Sequence, residues 1–174
     1  MASYSNKEDL NYNFEDEHFE SSDANAADTF PVAAGDLKKN DFVCIRGRPC
    51  KILDIETFKN GKHGSAKCSI VGEDIFLTGK KYELVCPAAY PMPCPNVTKS
   101  ELQLIDISEE GELSLLDEDF EQRQDLDLPL KDNESVARAI RAHFDNGKNL
   151  TLIVQKAMGF EQVMSFKVES AHGK

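Results

Sequence analysis

From Phe42 to Cys86 the apolar residues come in short runs, and each run is cut off by turn-forming residues before a helical period can develop. Phe42-Val43-Cys44-Ile45 ends at Arg46-Gly47-Arg48-Pro49. In Cys50-Lys51-Ile52-Leu53-Asp54-Ile55-Glu56 apolar and polar positions alternate, and Asn60-Gly61 closes the run. Glu73-Asp74 separates Cys68-Ser69-Ile70-Val71 from Ile75-Phe76-Leu77. Thr78-Gly79-Lys80-Lys81 then turns the chain into Tyr82-Glu83-Leu84-Val85-Cys86. Alternation bounded by turn signals is the pattern of strands. Short strands in series, with no helix among them, predict a small β-barrel that Pro31 opens.

Four of the seven prolines, Pro87, Pro91, Pro93 and Pro95, then fall within nine residues. Proline lacks a backbone donor, so this stretch is neither a helix nor a central strand. It reads as a semi-rigid linker or an edge segment, with Tyr90 and Met92 packing between domains and a boundary near residues 98–101. Beyond it come Leu102-Gln103-Leu104-Ile105-Asp106-Ile107, a turn at Glu109-Glu110-Gly111, and Glu112-Leu113-Ser114-Leu115-Leu116. A further strand is expected over Phe120 to Leu130. Asn133-Glu134-Ser135 can cap a helix running to about Asn146, with Val136, Ile140 and Phe144 as its apolar stripe and Gly147 placed to end it. Leu150 to Val154 and Val163 to Val168 complete a second β-barrel with one helix.

The chain has 174 residues and a formal net charge of −11, unevenly spread. Residues 1–30 hold eight acids and one base, residues 31–100 seven acids and eleven bases, and residues 101–174 sixteen acids and eight bases. Any nucleic-acid contact is therefore expected in the middle segment. Residues 1–29, acidic and without sustained apolar period, read as a disordered tail, and 170–174 as a flexible C-terminus. No apolar run approaches a membrane span and no apolar leader opens the chain, so neither a membrane role nor secretion is expected. The five cysteines include no Cys-x-x-Cys pair, and reduced thiols are expected. Cys44, Cys50 and Cys68 sit in strand-like runs as small core residues.

The chain offers little for catalysis. Cys68 with His63 is a conceivable nucleophile pair, but nothing supplies a nucleophile elbow, an orienting third group or a phosphate cradle. Gly61-Lys62 lacks the upstream glycine and the Ser/Thr of a P-loop. No His/Cys set has zinc-site spacing. Asp117-Glu118-Asp119 reads as a solvated turn. The second half carries excess acid and few aromatics for stacking, which disfavours nucleic-acid binding by it alone.

The stretch from Thr57 to Lys67 stands out. Asn60-Gly61 between two strand-like runs is a hairpin signal, because both residues tolerate positive φ. Lys62 then lies at or beside the tip, flanked by Gly61 and Gly64, with Lys59, His63 and Lys67 nearby. Without further context this is a solvated basic loop. The wording Gly61-Lys62-His63-Gly64, followed by Ala66-Lys67, closely resembles the hypusine loop of the eukaryotic translation initiation factor 5A family, relatives of bacterial elongation factor P. Phe30 to Gly35, Lys38-Lys39-Asn40, Gly47 to Ile52, Asp74-Ile75-Phe76, Thr78 to Glu83, Leu113 to Leu116, Asp125 to Pro129 and Ala157-Met158 resemble the family in the same order.

The resemblance implies an SH3-like barrel over residues 30–98 carrying the loop, followed by an OB-fold barrel with one helix over 99–169. It implies that Lys62 is modified to hypusine. Deoxyhypusine synthase, using NAD, transfers an aminobutyl group from spermidine, and deoxyhypusine hydroxylase completes the group. No cofactor is otherwise implied. The implied partners are these two enzymes, the ribosome near its exit site, and peptidyl-tRNA, with a weak homodimer allowed. The implied task is relief of stalling at consecutive prolines and support of elongation and termination, in the cytoplasm with a nuclear pool allowed. Lys59, Asn60, Gly61, Lys62, His63, Gly64 and Lys67 would form the contacting loop, with Lys38, Arg46 and Arg48 as weaker RNA contacts. The chain departs from the pattern at Ser65, where a second histidine is common, at Phe58, usually small and polar, at Leu77, an apparent insertion that reads as a bulge, and at the proline-rich Tyr90 to Cys94. The alternative is an RNA-binding or nucleocytoplasmic transport adaptor that never needs the modification.

Overall fold

A computed structural model describes residues 28–59, 61–62 and 64–170. In the N-terminal half, β1 (Thr29–Ala33) leads through a single 3-10 turn to β2 (Phe42–Ile45), β3 (Arg48–Lys59), β4 (Ala66–Asp74), β5 (Lys81–Pro87) and β6 (Pro91–Pro95). β2 to β5 form one antiparallel sheet in chain order, and β6 returns to pair with β1. Val43, Ile45, Cys50, Ile52, Cys68 and Ile70 fill the interior. Gly72 belongs there too: a Cβ would lie 2.9 Å from Ile45 Cδ1 and 3.0 Å from Cys50 Cβ. This is the SH3-like barrel.

In the C-terminal half, β7 (Thr98–Ile107), β8 (Glu112–Leu116), β9 (Gln122–Asp127), the helix α1 (Glu134–Asp145), β10 (Leu150–Ala157) and β11 (Phe160–Val168) follow. The sheet order β11-β10-β7-β8-β9, with the helix between β9 and β10, is the OB-fold half. Ala137 and Ile140 of the helix are buried in its core, and Val136 and Phe144 pack on the edge. Gly147, at φ +73, ends the helix as the sequence suggests. Asn133 occupies the N-cap position, but its side-chain amide donates to the Met164 carbonyl (3.4 Å) and does not cap the helix.

Several local expectations are corrected. Glu73-Asp74 does not interrupt a strand: β4 runs through Asp74, and Ile75 to Leu77 form a bend with no strand of its own. Leu77 sits in that loop and makes no β-bulge. The bulges lie elsewhere, one of them in β3 between Ile52 and Asp54. The ninth strand starts at Gln122. Phe120 stands before it in a tight turn at φ +62. Met92 and Tyr90 pack into the N-terminal core and not between domains. β1 already includes Thr29, and residues 1–27 and 171–174 lie outside the described residues.

The proline run is an edge strand. Pro31 stands opposite Pro93, with Thr29 opposite Pro95 and Ala33 opposite Pro91. Opposed residues in an antiparallel ladder alternate between pairs that exchange two hydrogen bonds and pairs that exchange none. Two facing prolines fit only the second kind. Pro91, Pro93 and Pro95 thus point their donorless nitrogens away from β1, while Met92 and Cys94 are buried.

One cluster joins the halves. The Asp74 side chain is fully buried and receives Arg48 Nε at 2.6 Å and the backbone N–H groups of Phe76 (2.9 Å) and Leu77 (3.0 Å). The Arg48 guanidinium lies 4.3 Å from the ring centre of Phe160, at the β10–β11 turn of the other half. Phe160 also meets Phe76, with ring centres 5.9 Å apart, and Gln155 Nε2 donates to the Ile75 carbonyl (3.4 Å). The two-residue turn at Met158-Gly159, with φ +51 and +78, aims Phe160 across the junction.

Candidate functional site at the tip of the β3–β4 hairpin

β3 and β4 stay paired from Cys50 and Asp74 out to Lys59 and Ala66. β2 covers β3 only as far as Lys51, so the outer part of β3 has a single strand neighbour. At strand rise, Lys51 to Lys59 spans roughly 25 Å. Period-2 alternation gives this stem two faces. Inward, Ile55, Ile70 and Leu84 form one row and Thr57, Cys68 and Cys86 the next, with Thr57 Oγ1 and Cys68 Sγ 3.6 Å apart. Outward, the rows are Asp54, Val71 and Glu83; then Glu56, Ser69 and Val85; then Phe58, Lys67 and Pro87 nearest the tip.

Pairing ends at Lys59 and Ala66, so the connection is a six-residue loop, longer than the two-residue turn that Asn60-Gly61 suggests. Gly61 has φ +79, and a Cβ there would meet nothing within 4 Å. Glycine is required by backbone conformation, not by space. Lys62 is exposed and makes no hydrogen bond or ion pair to another described residue. Lys59 and Lys67 are exposed beside it, and Gly64 is half-buried. Asn60 and His63 lie outside the described residues.

The weaker cation candidates are elsewhere. Arg46 occupies the β2–β3 turn, and Arg48 begins β3, at the opposite end of the strand from the tip. Arg48 is committed to Asp74 and Phe160, which corrects its reading as an RNA contact. Burial alone would raise the Asp74 pKa, but the Arg48 bond and the two backbone N–H groups outweigh it and hold the carboxyl below its ordinary value. Lys38 donates its backbone N–H to Asp41 Oδ2 (2.9 Å), in a turn that bonds back to Ile52. The sequence reading missed Asp74, Phe76 and Phe160 as a unit. Its one local signal is Met158-Gly159, a turn pair that leaves the next residue at a hairpin tip.

The cysteines behave as core residues. Burial pushes the Cys50 thiol up to about 12, with the Asp74 charge adding to it, and pushes Cys86 and Cys94 up to about 11. Such thiols stay protonated and are poor nucleophiles. Among the described residues no three His, Cys, Asp or Glu side chains are placed to hold a metal, and no helix is long and apolar enough to cross a membrane.

An SH3-like barrel with a lysine on a projecting hairpin, joined to an OB-fold barrel, defines a two-barrel translation-factor architecture. Two family models match it in order: "Translation initiation factor 5A-like, N-terminal" over residues 27–90, and "Eukaryotic elongation factor 5A hypusine, DNA-binding OB fold" over residues 96–167. Eukaryotic translation initiation factor 5A-1 of Arabidopsis thaliana is 44% identical over 88% of this chain and 95% of its own length. The Zea mays factor 5A is 46% identical over 88% of this chain and 94% of its own. A solved translation initiation factor 5A family protein from Naegleria fowleri superposes with a TM-score of 0.75 at 48% identity, covering 80% of this chain and 99% of that one. The Methanococcus jannaschii factor gives 0.59 at 27% identity, over 80% and 95%. The chain belongs to the translation initiation factor 5A family.

Proposed function

We propose that this chain acts at the ribosome through Lys62 carried as hypusine. The observation that carries the reading is the placement of Lys62: exposed at the end of a long stem, beside a glycine in a left-handed conformation, with no partner among the described residues. A lysine so presented can enter a foreign active site, lose a proton and act as a nucleophile. Its Nζ bonds the terminal butyl carbon released from spermidine, and the propane-1,3-diamine remainder leaves. NAD belongs to the synthase, not to this chain. Hydroxylation then completes the group.

The lengthened side chain carries an added amine and reaches phosphate and sugar oxygens beyond the span of lysine. In the exit site it supports the reactivity of peptidyl-tRNA, with relief at consecutive prolines and support of elongation and termination. The bond-forming chemistry stays with the ribosome, and the factor contributes orientation. Lys59 and Lys67 steer the hairpin along phosphates. The setting is cytoplasmic. The test is peptide-mass analysis of protein from its own cells. An aminobutyl or hydroxyaminobutyl addition on the Lys62 peptide is expected. Unmodified Lys62 throughout native material would overturn the reading.

A further inference from the structure

The outer face of the hairpin stem carries a feature that the lysine alone does not explain. Phe58 lies on that face in the row nearest the tip, directly opposite Lys67, with Pro87 beyond. The residue is 39% exposed, although it sits on a regular strand and not on a loose loop. Among the described residues it has no aromatic or cation–π partner. Thr57, its inward neighbour, is already matched to Cys68, and the strand alternation keeps Phe58 out of the core. The barrel gains little from a phenylalanine here.

The charges around the ring are ordered. Lys67 is beside it on the same face, and Lys62 is four residues on, at the tip, while alternation turns Lys59 to the other face. The next outward rows down the stem carry Glu56, then Asp54 and Glu83. Cations thus lie level with the ring and towards the tip, and acids lie below it. A ligand with a flat apolar face and attached anions fits one way only, with its face on the ring and its anions towards the tip. A single ring bordered by lysines is sized for one base. A protein partner would need roughly 800 Å² of complementary surface per side.

We infer that Phe58 is a stacking platform for one unpaired RNA base, whose flanking phosphates are held by Lys67 on the same face and by Lys62 at the tip. This rests on the ribosomal reading above and adds the ligand class at the stem. Every base has a π-face, so the platform accepts any base and reads no sequence. It fixes where the RNA strand lies relative to the reaching lysine.

The test uses the full chain, with Lys62 modified and unmodified, a labelled single-stranded RNA hexamer, and an abasic hexamer with the same phosphates. Phe58→Ala is expected to weaken binding of the RNA hexamer about 5- to 150-fold and to leave the abasic hexamer unaffected. The salt dependence should stay the same, because no charge is removed. Phe58→Tyr keeps a ring and should restore binding. The chain has no tryptophan, so Phe58→Trp introduces a single reporter, whose emission should be quenched by the RNA hexamer and not by the abasic one. The inference is overturned if the unsubstituted chain binds both hexamers equally, if Phe58→Ala leaves RNA affinity unchanged, or if the tryptophan emission does not respond at saturation. It is also overturned if Phe58→Ala spares RNA binding and instead slows aminobutyl transfer to Lys62, since the ring would then serve the modifying enzyme. The Lys62 peptide mass is read separately, so loss of base stacking and loss of the hypusine reading are distinguishable.

Discussion

Lys62 and Arg48 stand at opposite ends of the same hairpin, both in the basic segment of an acidic chain. Lys62 has no partner among the described residues. Arg48 is bound to a buried carboxylate and covered by an aromatic ring from the other barrel. Both are cations on or beside β3, yet only one is available to anything outside the protein. A charge count along the chain therefore overstates the cationic surface. What matters is whether the fold supplies a counter-charge, and at the junction it supplies one 26 residues away.

Exchanging the two sites' roles should fail in opposite ways. Lys62→Arg should leave stability within about 0.5 kcal/mol, as for other exposed positions. It should reduce activity in a proline-run translation assay to background, because guanidinium does not accept the aminobutyl group. Full activity of that variant would instead support an electrostatic adaptor. Asp74→Ala should do the reverse. It leaves a partly buried guanidinium and two backbone donors unpaired, at a cost of roughly 3 kcal/mol in chemical denaturation, while Lys62 remains a substrate for aminobutyl transfer. A variant that lost both stability and modification would mean that the two ends of the hairpin are coupled.

Smaller changes sharpen the contrast. Phe160→Ala removes the cation–π and ring contacts across the junction and should cost about 1 kcal/mol. Its clearer signature is greater independence of the two halves, read as separate rotational diffusion by NMR relaxation. The smallest effect is acid sensitivity. The Asp74 pKa is lowered in the folded protein, so its contribution is present above the ordinary carboxylate value and fades as pH falls through the folded one. The stability gap between the unsubstituted chain and Asp74→Asn should therefore hold at neutral pH and close below about pH 4. A gap that did not change with pH would remove the charge from the account of this junction.

The sequence carried what is local. Alternation around Asn60-Gly61 marked the hairpin, the Val136, Ile140 and Phe144 stripe marked the helix, and glycine placement marked both of their ends. The misreadings of Asp74, Met92 and Tyr90 share one cause, a partner distant in the chain. Asp74 looked like a strand breaker because Arg48 lies 26 residues before it and Phe160 far after. Met92 and Tyr90 looked like linker residues because β1, their cover, is about 60 residues away. Phe58 could be flagged from sequence as an aromatic beside a basic loop. Only the strand register shows it level with Lys67 and above the acids.

The alternating prolines of β6 have a consequence for how the first barrel breathes. β6 packs beside β2, yet the two belong to different sheets. With its outward nitrogens lacking hydrogens, β6 cannot knit a ladder to that neighbour. The two sheets of the barrel are each stitched internally by hydrogen bonds, while β6 and β2 are merely pressed together. Parting them breaks apolar contact but no backbone pairing. This seam is where solvent should first enter on warming. The same missing donors deny a stray strand from another molecule any foothold, so the wall can loosen without inviting aggregation.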